Sequence, residues 1–323
     1  MLLIVYLRGN SRLINMDNTS ITLISQGELN GVHQQMIDEI KIICNLKIKK
    51  LNFKKRDYFK RKFFKKPNGL CLIFNLWHID YINKCVIYYD DPISQNDSNF
   101  ILEEVKILND EKIRVVITST ESLKRYLISL GVKKEKIRVI SQPVDTKKFF
   151  PMKINDKSTV GILGYLYGTR VEYMIKIAKL LPKEITFLTN DLELAKIIPN
   201  FRKNYKIIKK TKFDDIKLVE NINKLTIGLA FSDNGRLSTK IFHYMACGVP
   251  TIANKVPEHE FVAESKSGIL VNSPEEAVDE IQKLLKNFKL LKIMNENGIK
   301  YVKKNQDGKK IAKQFLEIFQ DIT

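Results

Sequence analysis

The stretch LTIGLAFSDNGRLSTKIFHYMACGVPTIAN, Leu225 to Asn254, packs a strand exit, a helix and a second strand into one continuous run. Leu225–Phe231 is apolar but for Thr226 and reads as a buried strand, and Ser232-Asp233-Asn234-Gly235 supplies loop chemistry after it. A helix then fits: Ser238 reads as its N-cap, and Ile241, Phe242 and Met245 are apolar at helical spacing. Gly248 sits where a left-handed residue ends a helix, and Pro250 bars continuation. Pro250–Asn254 reads as the next strand. Such a strand–loop–helix–strand unit turns backbone N–H groups and the positive end of a helix toward the loop, where open α/β sheets bind phosphate. Lys240 lies in the first turn, and His243, three residues on, shares its face. The stretch therefore reads as an anion-binding corner.

The alternation continues on both sides. In the first half, Ile21–Ser25, Ile48–Phe53, Leu70–Leu76, Lys84–Tyr89 and Arg114–Thr118 read as strands, and Gly31–Ile43, Ile101–Asn109 and Glu121–Leu130 as helices. The second half gives strands at Thr159–Leu163, Ile185–Leu188, Tyr205–Ile208 and Gly268–Val271. Its helices fall at Val171–Leu181, Leu192–Ile198, Asp214–Asn223, Pro274–Asn287 and Gly308–Phe319. This pattern predicts an α/β protein whose two halves are each a mainly parallel, doubly wound sheet. Pro143–Asp156 breaks it as a linker would, which sets domains at 1–150 and 151–305. Residues 1–15 read as an extra strand or a tail, because a start at Met16 makes Ile21–Ser25 the first strand.

At 323 residues the chain is long enough for two cores. No apolar run approaches the ~20 residues that cross a bilayer, and Leu70–Trp77 is interrupted by Asn75. Met1–Leu7 is short, is followed by Arg8 and Arg12, and lacks a small-residue cleavage site, so it is not read as a signal peptide. Cys44, Cys71, Cys85 and Cys247 lack metal-ligand spacing and read as buried thiols of a reducing, cytoplasmic compartment.

The corner at Gly235–Asn254 resembles the nucleotide-sugar site of GT-B glycosyltransferases, specifically the retaining enzymes of family 4 type. Other stretches share the resemblance. Ile137–Pro151 is similar to the strand and interdomain turn that end the family's N-terminal domain. Tyr88-Tyr89-Asp90-Asp91, then Glu103-Glu104 and Val115–Leu123, are similar to a pattern in one branch of the group. Gly161–Tyr165 resembles the first strand and turn of the C-terminal domain. The resemblance implies two Rossmann-like domains facing a cleft, with a last helix, 306–323, crossing back onto the first. It implies sugar transfer from a UDP- or GDP-linked nucleotide-sugar, used as substrate, with no metal or other cofactor.

Site roles follow from the same resemblance. Lys240 matches the family's diphosphate-contacting lysine. The arginine that family members carry directly after the glycine matched by Gly164 is replaced here by Tyr165, so Arg170, beyond Gly161, Gly164 and Gly168, becomes the substitute. The family's two glutamates, eight residues apart, fall on Gly235 and His243. Gly235 leaves only its backbone and Asn234 for the sugar, whereas a histidine can hydrogen-bond a ribose hydroxyl. Ser238 and Thr239 belong to the same donor side. Gly31-Val32-His33 resembles the glycine turn that faces the donor's phosphates, with Gly27 widening it. His78 and Asp90-Asp91 follow strand ends, where open sheets hold ligands, and Asp91 or Asp90 is read on the acceptor side. Each has a plainer reading too: a solvated lysine, a structural histidine, an ordinary helix start.

The formal charge is +19, and Lys47–Lys66 alone contributes +10 through eleven Lys/Arg against Asp57. Phe53, Tyr58, Phe59, Phe63 and Phe64 interleave with these charges. Such a segment suits anionic lipid headgroups, at about 1 kcal/mol per basic residue near the surface. It also suits nucleic acid, the less favoured partner, or plain solvation. The reading is a glycosyltransferase acting on a glycan or lipid-linked acceptor, cytoplasmic or peripheral on a membrane. The alternatives are a catalytically weakened sugar-nucleotide binder and, behind it, a nucleic-acid-binding protein.

Overall fold

The computed structural model describes residues 20–26, 34, 36–40, 47–53, 70–74, 76, 82–95, 97–153, 159–164, 169–181, 185–189, 205–209, 216–232 and 237–322. The expectations at residues 1–15, Gly27, Gly31, His33, 54–66, His78, Tyr165, Gly168, 192–198, Asn234 and Gly235 lie outside these residues.

Among the described residues, two six-stranded sheets form the core of the fold. The first contains β1 (Ser20–Gln26), β2 (Lys47–Phe53), β3 (Cys71–Ile73), β4 (Cys85–Tyr88), β5 (Ile113–Thr118) and β6 (Ile137–Val139), in the order β2-β1-β3-β4-β5-β6. The second contains β7 (Thr159–Leu163), β8 (Ile185–Thr189), β9 (Tyr205–Lys209), β10 (Leu225–Ala230), β11 (Thr251–Asn254) and β12 (Gly268–Val271), in the order β12-β11-β10-β7-β8-β9. Every pairing is parallel. Parallel strands are covered on both faces, which is why central strands such as β3 and β4 are buried at every position rather than at alternate ones.

Side-chain alternation sorts the first sheet into two layers. Leu72, Val86, Tyr88, Val115 and Ile117 pack with residues 36, 37 and 40 and with Ile311, Phe315 and Phe319 of the last helix, Gly308–Ile322. Cys71, Ile73, Cys85, Ile87 and Val116 pack instead with Leu108 and Leu127. The last helix of the chain therefore covers one face of the first sheet. The two crossings between the sheets run side by side: the Val144 N–H donates to the Gln306 carbonyl at 2.9 Å, and Val144 forms a parallel bridge with Asp307.

Two α-helices among the described residues lie outside the sequence expectations, the short Glu260–Glu264 and a long one. Phe288–Asn305 is helical, with Leu291, Met294, Gly298 and Val302 buried. Asn295, Asn297 and Gly298 dilute its apolar stripe, and the glycine has a packing reason. A Cβ on Gly298 would stand 3.3 Å from the Met245 Cα, so this helix approaches the Lys240–Ala246 helix closely at that point.

In the second sheet the strand order reverses between β7 and β10, and in the first between β1 and β3. Ligands of open α/β sheets bind outside the carboxyl ends of strands at such switch points. The two carboxyl edges meet. The Glu121–Leu130 helix, capped by Thr120 Oγ1 accepting the Leu123 N–H at 3.0 Å, follows β5, and its Ser122 and Arg125 lie by Glu258 in the turn after β11.

Candidate functional site

At the switch point of the second sheet, β7 ends at Leu163 and the chain turns through Gly164 with φ of +105°. A side chain there would be strained, because L-residues rarely adopt positive φ. Space is not the constraint: a Cβ at Gly164 would sit 3.7 Å from the Lys240 Nζ and 3.8 Å from its Cε, which is ordinary contact. The lysine of the corner thus lies directly against the glycine turn, and these two expected residues are brought together.

The alignment of these parts depends on Tyr244, which sequence reasoning did not single out. Its hydroxyl accepts the Leu163 N–H at 2.7 Å and donates to the Leu229 carbonyl at 3.3 Å, bridging β7 and β10 where they diverge. Burial pushes the phenol well above its ordinary range, so the hydroxyl stays neutral and can do both. The ring lies flat over Gly228, where an added Cβ would come 2.6 Å from Tyr244 Cδ2. A glycine in the middle of a strand marks such a close approach, and that was the available signal.

The helix itself runs Lys240–Ala246 and ends as expected, with Gly248 left-handed at φ +66°. Its start differs from expectation. Thr239 occupies the N-cap position without a side-chain cap bond, and the buried Ser238 hydroxyl has no hydrogen-bond partner among the described residues. Ser238 is therefore not the cap. Its contribution is a backbone one, the carbonyl accepting the Ile241 N–H at 3.0 Å. The Thr239 carbonyl accepts from Phe242 N–H at 3.1 Å and from His243 Nδ1 at 3.1 Å. His243 is 2% exposed, and its ring meets Phe149 of the linker edge-on at 4.5 Å. The ring expected to reach a ribose points into the interior in this conformation.

Arg170 lies in the Thr169–Leu180 helix, just past the glycine turn; its side chain is outside the described residues. In the first domain Asp91 is exposed in the bend after β4, and Asp90 accepts from Gln142 Nε2 at 2.8 Å. The segment that follows is tethered from below. Buried Glu104 accepts from the Tyr89 hydroxyl, from Ile93 N–H at 2.8 Å and from Ser94 N–H at 3.3 Å, and Tyr126 donates to Ser94 Oγ at 3.0 Å. Burial, then the Glu104 contact, pushes the Tyr89 phenol up. Asp91 therefore stands at the edge of a fixed platform. Among the described residues no group of three or more His, Cys, Asp or Glu could hold a metal ion, and no helix is long and apolar enough to cross a membrane.

Residues 159–287, the second sheet with its helices, match the family described as glycosyl transferases group 1. An uncharacterized glycosyltransferase of Methanocaldococcus jannaschii is 30% identical over 246 residues, 72% of this chain, and the chain spans 58% of that relative's length. HepE of Anabaena, solved in complex with UDP-glucose, shares the fold with a TM-score of 0.76 at 14% identity, over 94% of this chain and 100% of its own. Sucrose-phosphate synthase from Thermosynechococcus elongatus does so with a TM-score of 0.77 at 14% identity, over 94% and 99%.

Proposed function

Since the chain belongs to the group 1 glycosyl transferases of the GT-B fold, we propose that it transfers a sugar from a nucleotide-sugar, UDP- or GDP-linked, to an acceptor hydroxyl. The observation that carries this reading is the placement of the Lys240 ammonium beside the Gly164 turn at the β7/β10 switch point. A glycine turn lets a diphosphate approach the backbone, and an ammonium group beside it meets the charge that grows on the leaving diphosphate as the glycosidic bond breaks. In this reading Lys240, with Arg170 from the neighbouring helix, supplies the positive charge that a metal supplies elsewhere, and the anomeric configuration is retained. Ser238 and Thr239 contribute backbone to the donor pocket, and Tyr165, Asn234 and Gly235 are assigned to the same donor side from the sequence alone. Gly31 and His33 would face the phosphates from the other domain. Asp91 faces the acceptor, a glycan or lipid-linked hydroxyl, and no protein base is assigned.

The test is Lys240→Ala assayed for transfer and hydrolysis with UDP-, GDP- and ADP-sugars. Loss of one such contact lowers kcat by about 10²–10³-fold, with the melting temperature close to wild type because the lysine lies at a helix start. Full turnover in the folded variant overturns the assignment. A second reading, a binder without turnover, is favoured by Gly235, which offers no side chain where the family carries a glutamate. Nucleotide binding by wild type with no transfer to any acceptor or to water selects it.

A further inference from the structure

Two side chains at the exit of β11 hold the chain where it leaves β10 and where it enters the Lys240 helix. Asn254 closes β11. Its Oδ1 accepts the Ser232 N–H at 2.8 Å, and its Nδ2 donates to the Ser232 carbonyl at 2.9 Å. His259 follows in the turn Pro257–His259, with Nδ1 bonded to the Asn254 carbonyl at 3.0 Å and Nε2 3.2 Å from the Ser238 N. A carbonyl only accepts and a backbone N–H only donates, so Nδ1 carries the proton and Nε2 is the acceptor. His259 is 0% exposed, and Ser232 and Ser238 are buried beside it. One relay therefore runs from Ser232 through Asn254 and His259 to Ser238.

Pairing of β10 with β11 covers Gly228–Ala230 against Thr251–Ala253 and stops there. The relay begins where the ladder ends, so it fixes backbone that sheet formation does not. Ser238 lies two residues before Lys240, and its carbonyl holds the Ile241 N–H, so any displacement of Ser238 passes into the turn that carries Lys240. We propose that Asn254 and His259 are positioning residues that hold Lys240 against Gly164 for the donor diphosphate, without touching the donor themselves. The inference rests on the donor site proposed above.

A purely structural pair would change the melting temperature and leave the donor constants of the folded protein unmoved. The experiment is titration calorimetry with UDP, GDP and ADP, together with donor KM and kcat, on wild type, His259→Phe, His259→Gln and Asn254→Asp. His259→Phe keeps an aromatic ring and loses both bonds; with the bond to the Ser238 N–H gone, it is expected to weaken binding of the preferred nucleotide about tenfold. His259→Gln, whose amide can accept from Ser238 and donate to Asn254, is expected to recover most of that loss. Asn254→Asp keeps the acceptor for the Ser232 N–H but sets a carboxylate against the Ser232 carbonyl, and is expected to weaken binding even if His259→Phe does not fold. Wild-type nucleotide affinity and KM in folded Asn254→Asp, or a His259→Gln no better than a folded His259→Phe, overturns the positioning role while leaving the donor site standing. A wild type that binds none of the three nucleotides overturns the donor-site reading and this inference with it.

Discussion

The Tyr244 hydroxyl accepts the Leu163 backbone N–H at 2.7 Å, which pins the helix that carries Lys240 to the strand end that carries Gly164. Tyr244→Phe removes one oxygen and keeps the ring. The Leu163 N–H is then buried without an acceptor, at a cost of about 1–3 kcal/mol. Calorimetric melting should show that loss, and a variant as stable as wild type would mean the hydroxyl holds nothing in place.

Gly228 and Gly164 separate two reasons for glycine. Gly228→Ala drives a methyl to within 2.6 Å of a ring whose hydroxyl is held by Leu163 and Leu229, so the helix must shift. Overpacking of this kind costs about 1–3 kcal/mol, and kcat/KM for the donor should fall with it. Gly164→Ala meets no such clash and carries only the left-handed strain, about 1–2 kcal/mol. If Gly228→Ala left donor kinetics unchanged, the helix position would not set the site.

Much of this arrangement was legible in the sequence because it is local. Runs such as Leu225–Ala230 are apolar on both faces because helices cover both, and the stop at Gly248 and Pro250 follows from residue chemistry alone. Contacts between distant residues were not legible. Tyr244 meets Leu163 across 81 positions, and nothing in its helix's spacing distinguishes it from any other core aromatic. Ser238 looked like a cap by spacing, but its N–H goes to His259 and its hydroxyl caps nothing. The contact of His243 with Phe149, a linker residue far away in the chain, was likewise not legible from helical spacing.

His243 offers a test of that last point. If the ring serves packing against Phe149, then His243→Phe should fold and keep donor KM within about twofold, while His243→Ala should lose roughly 2–4 kcal/mol of stability through the void it leaves. A folded His243→Phe with a much higher donor KM would return the side chain to the ribose.

Glu258 reports on the contact between domains through pH. Burial raises its carboxyl above the ordinary value, against the lowering effects of Ser122 and Arg125. A raised folded-state pKa means that stability is fully present below the unfolded pKa and is lost as pH rises through the folded one. Glu258→Gln removes the charge, so it should melt at or above wild type near neutral pH, and the difference should vanish below about pH 4. A less stable Glu258→Gln at neutral pH would show that Arg125 outweighs burial.

The basic stretch Lys47–Lys66 begins as β2, the edge strand of the first sheet, in the domain that does not carry Lys240. Its proposed attraction to anionic lipid is screened over about 10 Å at 0.1 M ionic strength, so it must depend on salt. Reversing Lys54, Lys55, Lys60 and Lys62 to glutamate shifts the local charge by eight units and changes no residue of the second sheet. Wild type should sediment with phosphatidylserine-containing liposomes at low salt and release as salt rises. The reversed variant should stay in solution while binding nucleotide as wild type does. Wild-type protein that ignores anionic vesicles at low salt would reduce these charges to a solvated surface. Binding to neutral vesicles as strong as to anionic ones would put the interaction on the interleaved aromatics and not on the lysines.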